Sequence, residues 1–308
     1  MVSVEGKRIG HISISIMSHL LFLKSGMHTS IQDSGRKNVA FFGIPESGYM
    51  DAKSADFANY LVGNEAGSSV IECSYIGPKI EFGKNFVIAL SGADMKWKVD
   101  GNPVPRYTSL YVQKGSVLSG GAATTGVRSY IAIQGQLNAT SDFGSTSTYV
   151  NAAYGGVEGS LIKKGDSLTF RRQKSTWDFR YIPDEEKPKL RGVKYIPLQR
   201  GPDWYLLNQE SKEHFIKDAW TISSESDRMA APLMSHTIGL KEKINAPSAP
   251  VFPGIIQLPP DGKPITLLQD CQTTGGYPRI AYIPRQSLSI FNQIRPDEPF
   301  YFYFVTEE

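Results

Sequence analysis

Cysteine is nearly absent from this chain of 308 residues: Cys73 and Cys271 are the whole supply. Two thiols far apart in sequence exclude a disulfide framework and a thiolate metal cage, and they fit a reducing compartment. Histidine is scarce too, with five residues (11, 19, 28, 214 and 236). That supply argues against a His-driven triad or a His-rich cage, so no metal site is expected. No apolar run approaches the ~20 residues of a membrane span, Phe86–Leu90 being typical. An excess of one charge is lacking as well. A formal net charge of +3 gives nucleic acid no basic surface and leaves no acidic tail.

Familiar catalytic signatures are missing in the same way. Gly77 to Lys84 resembles a P-loop, but five residues intervene where four are needed, and Asn85 stands where a Mg²⁺-binding hydroxyl should be. There is no G-x-S-x-G, H-E-x-x-H or G-x-G-x-x-G. Met95-Lys96 resembles the Met-Lys step of a biotin-attachment site, yet Asp94 and Trp97 do not suit it, and a surface lysine on a strand is expected. No cofactor is therefore expected to be bound by this chain alone.

What the chain has in quantity is turn formers and rings: 29 Gly, 19 Pro, 15 Tyr, 15 Phe and four Trp. Short apolar runs alternate with turn signals, as in Phe86–Leu90, Lys96–Val99, Ser109–Val112, Ser129–Ile133, Lys194–Leu198 and Tyr301–Val305. Ser91–Asp94, Asp100–Pro103 and Gly120-Gly121 read as turns between them. The pattern predicts a mainly β protein of the sandwich or barrel kind. Helices are predicted over Met50–Gly63, where Ala55, Ala58, Leu61 and Val62 share a face, and over Asp203–Phe215 behind Pro202. Asp100-Gly101 and Asp261-Gly262 each precede a Pro and an apolar strand, an echo compatible with two copies of one barrel.

The length suggests two compact units. Lys7 and Arg8 ahead of an uncharged stretch faintly resemble a signal peptide, but His11, Ser13, Ser15, Ser18 and His19 interrupt it. Residues 1–19 are read as a leader, with Met17 as an alternative start, and the protein as cytoplasmic. Residues 20–170 would form the first barrel and 195–308 the second. Between them, 171–194 has 12 charged residues of mixed sign and reads as a solvated connector.

Four polar clusters stand out. Gly26–Arg36 with Gly43–Asp51 reads first as a long connection whose Gln, Asp and Arg pair with backbone. Gly92-Ala93-Asp94 is grouped with Glu72, and Asp94 reads as a turn cap. In Ser226–Met229, Asp227 beside Arg228 could clamp an amide or carboxylate, or be an ordinary surface pair. The densest cluster is Gln257 to Pro264 followed by Asp270 to Arg279. There two glycines admit close approach to main-chain N–H groups, with Thr and Gln donors beside them, although a tight turn held by Thr hydroxyls fits equally.

In this order the clusters resemble one family, called biotin-dependent carboxyltransferase, allophanate hydrolase subunit 2 or the C-type component of 5-oxoprolinase. Its most specific pieces here are Pro253–Gly262 and Gln272–Pro278. Ile31-Gln32-Asp33, Gly35-Arg36, Ser47-Gly48, Met50-Asp51, Leu61–Asn64, Gly92–Asp94 and Ser226–Met229 support them. The sequence departs at Ala230–Leu233, where the family usually has Gly-x-Arg-Leu, and at Cys271, which reads as a buried thiol.

The resemblance implies two cyclophilin-like β-barrel domains with a few short helices. It also implies one component of an ATP-dependent 5-oxoprolinase, inactive alone, acting on a small amide. Its partners would be a B-type 5-oxoprolinase protein and an A-type lactam-utilisation protein. Asp261, Asp270 and Asp227 would then be acid–base or orienting residues. Arg228, Gln257, Gln272, Thr273, Thr274, Gly275, Gly276 and Tyr277 would bind substrate. ATP would be used by the complex. Two alternatives stay open: the carboxyltransferase component of a biotin-dependent urea or amide carboxylase, and a regulatory antagonist of a histidine-kinase inhibitor.

Overall fold

The computed structural model describes residues 18–171, 178–242, 247–296 and 298–305. Its strands fall into three large sheets. One orders Gln136–Asn138, Ser167–Arg171, Ser18–Lys24, Lys79–Phe82, Val117–Ser119, Lys98–Val99 and Asn102–Pro103. A second orders His28–Gln32, Val70–Ser74, Thr125–Ile133, Phe86–Asp94 and Ser109–Val112. The third orders Thr221–Ile222, Ala230–Met234, Ile265–Leu267, Ile255–Gln257, Arg279–Tyr282, Lys194–Arg200 and Phe300–Phe304. Its ends nearly meet: Trp220 N donates to Phe300 O at 2.8 Å and Phe300 N to Trp220 O at 2.9 Å. The protein is mainly β with barrel-like closure, as expected.

Alternation along the central strands explains their unbroken apolar runs. Phe86, Ile88 and Leu90 face one core, while Val87 and Ala89 face another on the opposite side. A strand covered on both faces needs apolar residues at every position. The second face is covered by α1 (Ala52–Val62), whose Ala55, Ala58, Leu61 and Val62 are buried there. Asp51 caps α1, accepting from Ser54 N at 3.0 Å, and Gly63 ends it in the left-handed conformation. A separate core fills the third sheet around Trp220, Phe215, Phe291, Phe300 and Phe302.

Several expectations need correction. Ser91–Asp94 is not a turn but the end of the Phe86–Asp94 strand. Gly92 there has φ +77° at a break in register, and a Cβ would meet Arg128 O. The turn signal was a bulge. The segment Asp203–Phe215 is not one helix: a short 3₁₀ turn, Trp204–Leu206, precedes α2 (Gln209–Lys217), because Asn208 restarts the helix by capping Ser211 N at 2.7 Å. Lys96 lies between strands rather than on one, held by Asp94 at 3.1 Å.

The predicted leader falls largely on residues 1–17, outside the described residues, while Ser18 and His19 already belong to a strand paired with Ser167–Arg171. The charged stretch 171–194 is not solvated throughout. Ile182 is buried against α1's core and Arg180 N donates to Ser109 Oγ at 2.9 Å. Residues 172–177 of it lie outside the described residues.

Candidate functional site

The site grows from the face of the second sheet opposite the Ile31, Ile71 and Cys73 core. Because side chains alternate along a strand, His28, Ser30 and Gln32 share that opposite face. Ser30 pairs in register with Glu72, and Glu72 with Tyr130. The Gly26–Arg36 cluster is thus no mere connection: residues 28–32 are a strand carrying polar groups on one face.

Glu72 is 2% exposed and has both oxygens engaged. Oε2 accepts from Tyr130 Oη and Met50 N, each at 2.9 Å, and Oε1 accepts from Arg228 Nη1 at 2.5 Å. Arg228 also donates from Nε to Asp270 Oδ2 at 2.8 Å, and from Nη2 to Asp270 Oδ1 at 3.1 Å and Gly48 O at 2.7 Å. Burial works against the guanidinium charge, but Asp270 and then Glu72 outweigh it and push the Arg228 pKa up. The local chain forces Arg228 inward. Asp227 Oδ1 turns back to accept from Met229 N at 2.7 Å and Ala230 N at 2.9 Å, while Asp270 N donates to Arg228 O at 2.9 Å. Asp227 and Arg228 are therefore not a surface pair.

Beside this clamp lies a pocket of about 170 Å³ lined by His28, Ser30, Gln32, Thr148, Tyr149, Val150, Asn151, Leu161, Asp227, Arg228, Met229 and Asp270. Three of its polar atoms are buried and lack a hydrogen-bond partner among the described residues: His28 Nε2, Gln32 Oε1 and Thr148 Oγ1. The Gln32 amide is oriented by its own donor, which reaches Ser30 Oγ at 3.0 Å and Thr148 O at 3.2 Å. Thr148 is delivered by a loop that Asp33 gathers, accepting from Ser145 Oγ at 2.5 Å, Thr146 N at 2.6 Å and Ser147 Oγ at 2.6 Å. Arg36 Nη2 fastens the same loop at Ser147 O, at 2.6 Å. Burial, then the Arg228 charge, lowers the His28 pKa below its ordinary 6.5, so its ring is neutral at pH 7. Unpartnered buried groups cost about 1–3 kcal/mol each, and three of them fall on residues that line this one pocket.

Of the residues given an acid–base or substrate-binding role, Asp227, Arg228 and Asp270 come to this pocket, joined by His28, Ser30 and Gln32 of the Gly26–Arg36 cluster and by Met229; the others given such a role do not line it. Asp261 sits beyond the other end of the Ile265–Leu267 strand, capping Lys263 N at 3.1 Å. Thr274-Gly275 pairs with Ala249-Pro250 in a small separate sheet. A Cβ on Gly275 would meet Gln257 Nε2 at 2.6 Å, so the close approach that this glycine admits is to the protein's own buried Gln257. Gln257 donates to Tyr277 O at 3.3 Å, while Gln272, Thr274, Gly276 and Tyr277 are exposed and Thr273 is half-buried. Cys271 is buried and its thiol is pushed up to about 12, in keeping with an inert thiol.

Thr148 and Tyr130 had not been singled out, and Ser30 only as part of the Gly26–Arg36 connection. Two of them had signals: a polar period of two over residues 28–32 for Ser30, and for Tyr130 a carboxylate within the Val-Ile-Glu-Cys run of the Val70–Ser74 strand, which demands a buried partner.

A mainly β chain whose barrel-like sheets meet across a buried carboxylate–arginine clamp matches one family. Residues 42–304 correspond to the carboxyltransferase domain, subdomain A and B, and the chain belongs to that family. It is 32% identical over 289 residues to the C-type component of 5-oxoprolinase from Escherichia coli strain K12, covering 92% of this chain and 90% of that protein. It is 31% identical to the urea amidolyase of Saccharomyces cerevisiae, over 92% of this chain but 16% of that enzyme. The crystal structure of Kluyveromyces lactis urea carboxylase superposes with a TM-score of 0.89 at 27% identity, covering 96% of this chain and 28% of that one.

Proposed function

We propose that the pocket beside Arg228 binds a small amide, and that the chain is the C-type component of an ATP-dependent complex that opens 5-oxoproline to glutamate. The observation that carries this is the set of unpartnered groups. An amide offers one N–H and one carbonyl oxygen. Gln32 Oε1 can only accept and suits the N–H; the Thr148 hydroxyl can donate to an oxygen. A pocket of about 170 Å³ lies below the ~300–1,000 Å³ of drug-sized sites and favours a small molecule. Identity to a 5-oxoprolinase component along nearly the whole of both chains supports that substrate.

Amide resonance makes direct attack by water on a lactam slow; phosphorylation of the carbonyl oxygen by ATP from a partner protein would make the carbon electrophilic. Water would add, the protonated ring nitrogen would leave to open the ring as an acyl phosphate, and a second water would release phosphate. The chain's own part is to bind and orient: Gln32 on the ring nitrogen, Thr148 on the oxygen, and the Arg228 clamp fixing the wall behind them. B-type and A-type partners would complete the site. The test is ATP-dependent 5-oxoproline hydrolysis by the chain alone and reconstituted with those partners. Activity only in the mixture is expected; turnover by the isolated chain refutes the shared site. A deletion strain should accumulate 5-oxoproline and fail to use it as a nitrogen source, and normal growth would refute the substrate.

The likeness to urea carboxylase favours a second reading, carboxyl transfer to urea or another amide. Biotin would have to arrive on a separate carrier, since Met95 is fully buried and Lys96 is bound to Asp94. Co-purification of a biotinylated protein would favour this reading over the first.

A further inference from the structure

Away from the pocket, the fold gathers two of the five histidines around one carboxylate. His214 lies in the last turn of α2, and Asp218 follows as the residue that ends the helix. His214 Nδ1 and Asp218 Oδ2 are 2.6 Å apart. That alone would be an ordinary pair one helical turn apart. A third group changes its character: His236, from the loop after the Ala230–Met234 strand, brings Nε2 to 3.5 Å from the same Asp218 oxygen. The two imidazole rings stand 5.0 Å apart, and one ligand atom from each of the three residues lies within 4.8 Å of the others.

We propose that His214, Asp218 and His236 form a surface binding site for a borderline first-row divalent cation such as Zn²⁺. Two imidazoles and a carboxylate are the donor set such ions take, whereas Mg²⁺ and Ca²⁺ require oxygen ligands. Zn–ligand bonds of about 2.1 Å set tetrahedral ligands roughly 3.4 Å apart; His236 Nε2 already stands 3.5 Å from Asp218 Oδ2, and the hydrogen-bonded His214–Asp218 pair, 2.6 Å apart, has to open as the ion replaces the shared proton. The backbone is already held for it. Gly239 N donates to Ser211 Oγ of α2 at 2.7 Å, Asn208 N donates to Gly239 O at 3.3 Å, and Ile238 N donates to Gly262 O at 2.8 Å, with Ile238 itself buried. Little chain entropy is lost when the loop's histidine engages. The His214 and His236 side chains are 39% and 66% exposed, and Glu210 Oε1 lies 3.7 Å from His214 Nε2, a further carboxylate at the edge of the site.

The experiment is calorimetric titration of the EDTA-treated full chain with ZnCl₂, with CoCl₂ absorption as the readout of geometry. One saturable equivalent, tetrahedral cobalt bands and no heat from MgCl₂ are expected. H236A removes an exposed side chain from a loop that keeps its backbone bonds, and D218N tests the carboxylate; each should weaken Zn²⁺ by about tenfold or more. Absence of saturable binding at roughly 100 µM Zn²⁺ overturns the proposal, as does unchanged affinity in either variant.

Discussion

Two buried polar clusters lie side by side on one sheet face and differ in how completely their groups are paired. In the Glu72–Arg228–Asp270 clamp each charged group meets an opposite charge, and Glu72 and Arg228 bond main-chain groups besides. In the neighbouring pocket His28, Gln32 and Thr148 each keep an atom without a partner among the described residues. A saturated cluster holds elements together and offers little to a ligand. An unsaturated one costs stability and is retained where a ligand repays it. The contrast assigns different duties to neighbouring residues.

Substitutions can break the contrast in order of size. Arg228→Met should be the most damaging, leaving Glu72 and Asp270 buried without their cation; a loss of about 4 kcal/mol is expected from urea denaturation. Gln293→Leu comes next. Its amide bonds Asp51 Oδ2 and Arg128 O at 2.8 Å each, and accepts from Val127 N and Arg128 N at 2.9 Å each, tying α3 (Arg285–Phe291) and its following turn to the second sheet. Orphaning these groups should cost about 3 kcal/mol by the same assay. Thr148→Val should behave in the opposite sense. Removing an unpartnered hydroxyl should leave stability unchanged or raise it, while amide binding in the reconstituted complex falls by about tenfold. A large stability loss in Thr148→Val would dissolve the distinction.

The smallest effect is a pH dependence. With its native pKa below 6.5, His28 binds fewer protons folded than unfolded between those two values. Its contribution is therefore intact above pH 6.5 and declines as pH falls below that. Thermal melts of His28→Asn against the natural chain should converge at neutral pH and separate on acidification, the natural chain losing more.

The β class, α1 and most central strands were legible because burial on both faces imposes its own composition, as in Phe86–Leu90. Arg228 and Asp270 were legible as chemistry but not as a clamp, since Glu72 lies 156 positions away from Arg228 and only tertiary folding joins them. The Gly275-Gly276 run was legible as a close approach, but not as to what approaches. Glycine marks any close approach, and at Gly275 the approaching group is the chain's own Gln257. Conversely, Gln32 looked like loop chemistry because its strand is only five residues long and carries polar groups on one face.

The parallel pairing of Lys194–Leu198 with Phe300–Phe304 has a consequence for synthesis. Strand Lys194–Arg200 leaves the ribosome well before the strand that covers it, which carries Phe300 and Phe302, both buried in that sheet. During translation its edge stays uncovered and open to association with other nascent chains. Chaperone dependence should therefore concentrate in this half of the polypeptide, and a stop codon just before Phe300 should yield aggregate rather than a shortened, weakened protein.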